Sequence, residues 1–319
     1  MTMNTVESIV TQRFRDEGFP DAKVIGSGME GTVYRLKPGT VAKVWYSSTH
    51  QRLLTLQQFY KNIIQAGLSF TTPEIYDVWQ VGEHSVSVER EILGRTLESW
   101  RPLCPSVWPH ASNAIVEILN QFRLLPPSNA LSALPVLDEQ ESFSGSGVWP
   151  QNLAQLVRRR VDRFHPVLVR SVASLDAKVA AVLHHLEQHE HTLAGIACRG
   201  GLIHGDLIPA NIVVDDNLRP TAVVDFGFLS TYGDCAFDAA VAASIFEMYG
   251  PAARAIEHQL DQLLLPAVGA DPETFAIYRA AYALITANAY DPDGHFRWCV
   301  DILARPEVCA VLGASPVTR

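Results

Sequence analysis

The chain has 319 residues, of which 25 are Lys or Arg and 34 are Asp or Glu, giving a formal net charge of −9. That acidity removes any long-range pull toward nucleic acid or an anionic membrane, and it favours a cationic small molecule as ligand. Hydrophobic residues at 48% and charged residues at 18% fit one large domain or two lobes with a sizeable core, and exclude a disordered chain.

Residues 6–18 read as an amphipathic helix. The period then shortens. KVIGSG (23–28), TVYRL (32–36) and TVAKVW (40–45) read as strands, with Pro38-Gly39 turning the chain between the last two. Residues 49–66 carry helical spacing, and Ile75–Val81 and Ser85–Ile92 read as strands on either side of Gly82. Beyond Gly94 the pattern is helical, at 111–125, 151–171, 175–193, 235–249, 251–265 and 272–290, with a loop over 128–147. One island interrupts these helices: in residues 201–227, two β-branched runs flank a turn at Asp215–Pro220.

The first candidate site is Gly26-Ser27-Gly28-Met29-Glu30-Gly31, a G-x-G-x-x-G. In a dinucleotide-binding fold this pattern opens a helix. Here an alternating β-branched run follows, so a glycine-rich hairpin over phosphates is the better fit, with Gly26, Ser27, Gly28 and Gly31 exposing backbone to phosphate oxygens. Lys43, in the strand Val41-Ala42-Lys43-Val44, resembles the kinase strand lysine that pairs with nucleotide phosphates. A lysine on the solvent face of an edge strand is the competing reading.

The second site is His204-Gly205-Asp206-Leu207-Ile208-Pro209-Ala210-Asn211, an H-x-D-L-x-x-x-N, with Asp225-Phe226-Gly227 beginning 14 residues past Asn211. Phosphoryl transfer needs an oriented nucleophile and neutralised phosphate charge. Asp206 suits the first task as catalytic base. Asn211 and Asp225 are hard oxygen donors suited to Mg²⁺. His204 is read as a brace for the loop.

H-G-D at 204–206 and Gly233-Asp234-Cys235-Ala236-Phe237-Asp238 resemble the aminoglycoside-phosphotransferase and choline-kinase group. The resemblance spans about residues 23–290 and is strongest over 201–238. It implies an α+β, bilobal protein-kinase-like fold. Residues 1–91 would form a small antiparallel-sheet nucleotide-binding lobe, and residues 92–319 a larger, mostly helical lobe carrying the catalytic loop and acceptor-binding insertion. It implies transfer from ATP or GTP, with Mg²⁺, to a hydroxyl of a small molecule, an antibiotic such as an aminoglycoside. A metabolic sugar, amino-alcohol or amino-acid acceptor, or a nucleotide-binding pseudokinase, stays open beside it. It also implies nucleobase contact near Arg90 and Ile92, and a loop-holding role for Asp238. Gly205, where protein kinases carry an Arg, and the lack of an A-P-E at its usual place argue against a protein kinase; Asp271-Pro272-Glu273 echoes that motif too late in the chain.

One departure stands out: residues 49–66 contain no Asp or Glu, so Gln57 or Gln58 takes the place of the helix acid that pairs with the strand lysine in kinases. On the acceptor side, Asp291, Asp293 and Asp301, near Trp298, are candidate contacts for a cationic substrate. Arg158, Arg159, Arg160 and Arg163 read as a solvated face, and His184–His185 as exposed helix residues. Five cysteines (104, 198, 235, 299 and 309) with no C-x-x-C suggest neither a disulfide framework nor a zinc site, and a reducing compartment. The N-terminus lacks the order of a secretory signal, and no apolar run reaches the roughly 20 residues of a membrane helix, so the expected location is the cytoplasm, with no nucleic-acid or membrane partner.

Overall fold

In the computed structural model, residues 3–28, 30–101, 108–143, 148–189, 200–289 and 294–313 are described. They form two compact units. The first takes residues up to Ser99 together with Ile212–Asp225; the second takes Trp100–Asn211 and the chain from Phe226 onward.

The first unit opens with α1 (Met3–Asp16), followed by β1 (Lys23–Ser27), β2 (Gly31–Lys37), β3 (Thr40–Trp45), α2 (His50–Gln65), β4 (Ile75–Val81), β5 (His84–Arg90) and β6 (Arg95–Thr96). β1 to β5 make one antiparallel sheet in the order β1-β2-β3-β5-β4. Helix α1 lays Val10 and Phe14 on this sheet, against Tyr34, Leu36, Val44, Val86 and Val88. The Phe14 and Tyr34 rings meet edge to face at 5.2 Å. Helix α2 begins at Thr49, whose hydroxyl accepts from the Arg52 N–H at 3.2 Å, and buries Leu53, Leu56, Phe59, Tyr60 and Ile63 at helical spacing. Gly31 is required by packing: a Cβ there would overlap the Val44 carbonyl, so only glycine lets the start of β2 lie this close to β3.

The island at 212–225 belongs to this unit because its backbone is stitched there. β8 (Ile212–Val214) pairs with β6 and with β9 (Pro220–Val223). The Thr71 N–H donates to the Thr221 carbonyl at 2.9 Å, and the Val223 N–H to the Thr71 carbonyl at 3.0 Å.

The second unit is helical. It contains α3 (Trp108–Phe122), α4 (Trp149–Ser171), α5 (Leu175–His189), α6 (Cys235–Ile245), α7 (Ala253–Val268), α8 (Pro272–Thr286), α9 (His295–Ala304) and α10 (Pro306–Val311). A short antiparallel ladder joins β7 (Gly200–Ile203) to β10 (Thr231–Asp234). Every residue of α6 is buried, and its side chains, mostly Ala and other small ones, let neighbouring helices close on it from all sides. Asp234 caps α6 by accepting from the Ala236 N–H at 2.9 Å, and its second oxygen accepts from the Tyr278 hydroxyl at 2.8 Å. The loop after α3 is pinned by buried Leu131, Leu134, Val136 and Phe143.

The helices expected at 235–249 and 272–290 end earlier, at Ile245 and Thr286. α9, α10, β7 and β10 were not legible as elements: each is short, and the two strands are glycine-containing. Arg160 departs from the expected solvated face. It is 1% exposed, donates to the Ile285 carbonyl at 2.9 Å and pairs with Asp138. Arg158, Arg159 and Arg163 remain near the surface and pair with Glu187, Glu139 and Asp138. His184 is exposed, whereas His185 is partly buried. Among the described residues, Cys235, Cys299 and Cys309 are buried free thiols, and no helix is long and apolar enough to cross a membrane.

Replacing Tyr278 with Phe removes one donor to the buried Asp234 carboxylate. A loss of about 1.5–3 kcal/mol is expected for a hydrogen bond to a charged group, read as a lowered urea midpoint with unchanged slope.

Candidate functional site

In the first unit, the chain leaves β1 at Ser27 and re-enters the sheet at Gly31, and the Gly28 N–H closes the turn on the Gly31 carbonyl at 2.9 Å. A Cβ at Gly26 or Gly28 would meet nothing, so packing does not demand glycine at either position. Met29 lies outside the described residues. Three hydroxyls lock the base of the hairpin: Tyr46 Oη lies 2.9 Å from both Ser27 Oγ and Thr32 Oγ1. These two bonds hold the Tyr46 phenol below its ordinary range.

Lys43 sits on β3 opposite Val33 on one side and Ser87 on the other. Its Nζ donates to Glu30 Oε2 at 2.6 Å, lies 4.0 Å from Asp225 Oδ1, and rests 3.7 Å from the Trp45 ring centroid. The helix glutamines do not supply its partner. The Gln57 amide donates to the Ile75 and Tyr76 carbonyls at 3.0 and 3.3 Å, and Gln58 is exposed. Glu30, inside the glycine-rich loop, does what a helix acid would have done.

Glu89 is a second acid that sequence reading passed over. It shares the β5 face with Ser87, whose hydroxyl donates to it and in turn accepts from the Trp45 indole at 2.8 Å. Burial pushes the Glu89 carboxyl up; the Ser87 hydroxyl and Lys43 oppose this, while Asp225 and Glu30 add to it. Asp225 follows β9 with φ +66, a left-handed conformation that Asp tolerates better than most residues, and its side chain is 51% exposed. At the end of β5 the Arg90 N–H donates to the Glu74 carbonyl at 2.9 Å and the Glu91 N–H to the Gly39 carbonyl at 3.1 Å. Those two donors are committed within the protein, and the chain has left the strand by Ile92.

In the second unit, β7 delivers the chain into His204–Asn211. Both oxygens of Asp238, on α6, accept from this loop: Oδ2 from the His204 N–H at 2.9 Å and Oδ1 from the Gly205 N–H at 2.8 Å. The Asp206 N–H donates to His204 Nδ1 at 3.2 Å, which makes that nitrogen the unprotonated one. The His204 ring is fully buried and lies 4.4 Å from Phe226. Its carbonyl accepts from Ser230 Oγ at 2.8 Å, and Ser230 Oγ accepts from the Gly227 N–H at 2.9 Å. His204 is therefore a brace. Gly205 has φ +77, and a Cβ on it would overlap Leu229, so no side chain fits there.

Asn211 closes the loop. Its amide nitrogen donates to the Asp206 carbonyl at 2.9 Å and approaches Asp206 Oδ2 at 3.4 Å. With the nitrogen so engaged, the amide oxygen is the atom left to accept a bond or serve a cation. Among the described residues, no three His, Cys, Asp or Glu side chains gather into a metal cage. A cation that takes one or two protein oxygens and completes its shell with phosphate and water, as Mg²⁺ does, needs no such cage. An amide oxygen such as that of Asn211 and a carboxylate such as that of Asp225 are each hard donors of the kind such a cation takes.

Of the acceptor-side candidates, Asp291 and Asp293 lie outside the described residues. Asp301 is exposed on α9, whereas Trp298 is buried and stacks on His295 with ring centroids 5.7 Å apart.

Burial raises the Asp238 carboxyl from 3.8 to about 6, against the pull of its two N–H donors. Between about pH 4 and 6 the folded protein then binds more protons than the unfolded chain, so this residue's contribution is full at the acid end and lost as the pH rises through 6. Urea unfolding across that window should show stability falling with pH. In Asp238→Asn, which does not titrate, that part of the slope should vanish.

Among curated protein sequences, none matches this chain. Solved structures do share its fold. A Streptomyces rimosus aminoglycoside phosphotransferase, APH(3'')-Id, solved with ADP and streptomycin, is 16% identical with a TM-score of 0.59, over 93% of this chain and 98% of that one. An aminoglycoside 2'-phosphotransferase-IIIa variant in its GDP complex is 14% identical with a TM-score of 0.60, over 98% and 96%. A ternary complex of APH(2'')-IIa with streptomycin and ATP is 14% identical with a TM-score of 0.55, over 87% and 89%. These likenesses establish a protein-kinase-like fold. The sequence profile of the phosphotransferase enzyme family matches residues 21–278, most of the chain, and the protein accordingly belongs to that family.

Proposed function

We propose that this phosphotransferase moves the γ-phosphoryl group of ATP or GTP onto a hydroxyl of a small molecule, an antibiotic such as an aminoglycoside, in the cytoplasm. The observation that carries the reading is the loop His204–Asn211, whose backbone is pinned on buried Asp238 while Asp206 stays partly exposed. Asp206 is the base: it accepts the acceptor's hydroxyl proton and orients the oxygen for in-line attack. Gly26, Ser27, Gly28 and Gly31 cover the phosphates with backbone, and Lys43 pairs with them. Arg90 and Ile92 flank the nucleobase. Asn211 and Asp225 are the oxygen ligands of Mg²⁺, which when bound neutralises charge on the phosphates. Support for the nucleotide comes from the related folds, solved with ADP, GDP and ATP. Support for a cationic acceptor comes from the net charge of −9 and from the aminoglycosides bound to those relatives. A metabolic sugar or amino alcohol meets the same requirement for a hydroxyl, and a pseudokinase would bind nucleotide without turnover.

The test is transfer of labelled γ-phosphate from ATP and from GTP, with Mg²⁺, to a panel of aminoglycosides, other hydroxylated antibiotics, amino alcohols and sugars. Transfer to one class is expected. Asp206→Ala should lower it roughly 10²–10⁴-fold while nucleotide binding survives; strong residual turnover would remove Asp206 from the role of base. Asp225→Ala should abolish the Mg²⁺ dependence of nucleotide binding, measured by titration calorimetry with and without the metal.

A further inference from the structure

The ion pair between Lys43 and Glu30 has an unusual origin. The loop meant to cover phosphates itself supplies the acid that occupies the lysine. Lys43 Nζ and Glu30 Oε2 are 2.6 Å apart, with the lysine side chain 19% exposed and the glutamate 51%. The backbone of Glu30 cannot easily retreat. The Tyr46 N–H donates to the Glu30 carbonyl at 2.9 Å, and Gly31 next to it lies flush on the Val44 carbonyl. The hydroxyls of Ser27, Thr32 and Tyr46 hold the hairpin base. With the Glu30 carbonyl and Gly31 tied to β3, the simplest release of Lys43 by Glu30 is a change of side-chain rotamer.

The charges add to this. Glu30 and Asp225 lie within 4.0 Å of the ammonium, and Glu89 sits on the neighbouring strand β5. Asp225 follows β9 in a left-handed conformation, and Glu89 lies in β5 and is held by Ser87. Glu30 and Asp225 are equally half exposed, but Glu30 belongs to the loop and is the one in direct contact with the ammonium, at 2.6 Å against 4.0 Å. Helix α2 has no acid to take its place.

We infer that Glu30 is a latch that mimics phosphate: it holds Lys43 in the nucleotide-free protein and must swing away for the nucleotide's phosphates to reach the ammonium. A carboxylate oxygen and a phosphate oxygen present the same charge-assisted acceptor to a lysine. They compete for the charge of one ammonium, and a glutamate left in the loop would also repel the incoming phosphates. The latch thus weakens nucleotide binding through its phosphates and leaves the nucleobase contact untouched. This inference rests on the reading of Lys43 as a phosphate contact. A partly exposed ion pair is a modest interaction, so the effect on affinity should be on the order of three- to tenfold.

The test measures dissociation constants for Mg²⁺-ATP, Mg²⁺-GTP and the corresponding nucleosides on the full chain. Glu30→Gln keeps the shape and removes the charge, and should tighten triphosphate binding about three- to tenfold without changing nucleoside binding. The gain should shrink in a Lys43→Ala background, because the coupled partner is gone. Glu30→Asp, too short to keep the contact on this backbone, should fall between wild type and Glu30→Gln. Circular dichroism and thermal melting establish that each variant is folded. Unchanged or weakened triphosphate binding in Glu30→Gln overturns the latch, and weakened binding would make Glu30 an anchor that positions Lys43. If Lys43→Ala alone leaves triphosphate binding intact, the phosphate role of Lys43 itself fails, a result separable from failure of the latch.

Discussion

A buried carboxylate that accepts two backbone N–H groups organises the helical unit. Asp238 has no exposed surface, and its oxygens hold the amides of His204 and Gly205 at 2.9 and 2.8 Å. Burying a charge is costly unless it is fully hydrogen-bonded, and those two amides would themselves be costly to leave unpaired. Each side of the contact thus needs the other. From it follow the conformation of Gly205, the bond from the Asp206 amide to the His204 ring, and the closing bond from Asn211. Asp206 is held by a chain of local bonds that ends in the core, the firm positioning that its proposed role as base requires.

The sheet unit is organised around a cation. Lys43 lies over an indole and beside two carboxylates, Glu30 and Asp225. The lack of an acid in α2 does not leave it without a partner. The counter-charge has moved from the helix to the glycine-rich hairpin, and Gln57 has been freed to tie α2 to β4 through two carbonyls. In the proposed reading, the charge of that acid opposes the phosphates the hairpin would cover.

Much of the fold was legible because its strands and longer helices are strongly periodic. The β1–β2–β3 run, with its Pro38-Gly39 turn, and the helix at α2 fall within a few residues of the expected bounds. The order of H-x-D-L-x-x-x-N, D-F-G and the later acid was legible too, since phosphoryl transfer demands those residue types at nearly fixed spacing. The short ladder β7–β10 and helices α9 and α10 were not. Elements of a few residues acquire their geometry from neighbours, here the packing on α6 and α8, rather than from their own period. Arg160 shows the same limit: its position among arginines suggested solvent, yet the fold buries it beside the Ile285 carbonyl.

By itself the sequence determined the order of the residues on which the proposed chemistry rests: a glycine-rich hairpin, a strand lysine, a loop with Asp206 and Asn211, and Asp225 before Phe226-Gly227. It could do so because the partners proposed for it, a hydroxyl proton, a triphosphate and a hard cation, each accept few side chains. Tertiary structure alone decided the partners. That Asp238 holds the loop by backbone amides, that Gly205 is demanded by both φ and Leu229, and that Glu30 takes Lys43 are contacts between residues 13 to 34 positions apart. Hydrogen bonds and ion pairs are short-ranged in space and indifferent to separation along the chain, so only the folded backbone can say which of several acids reaches a given donor.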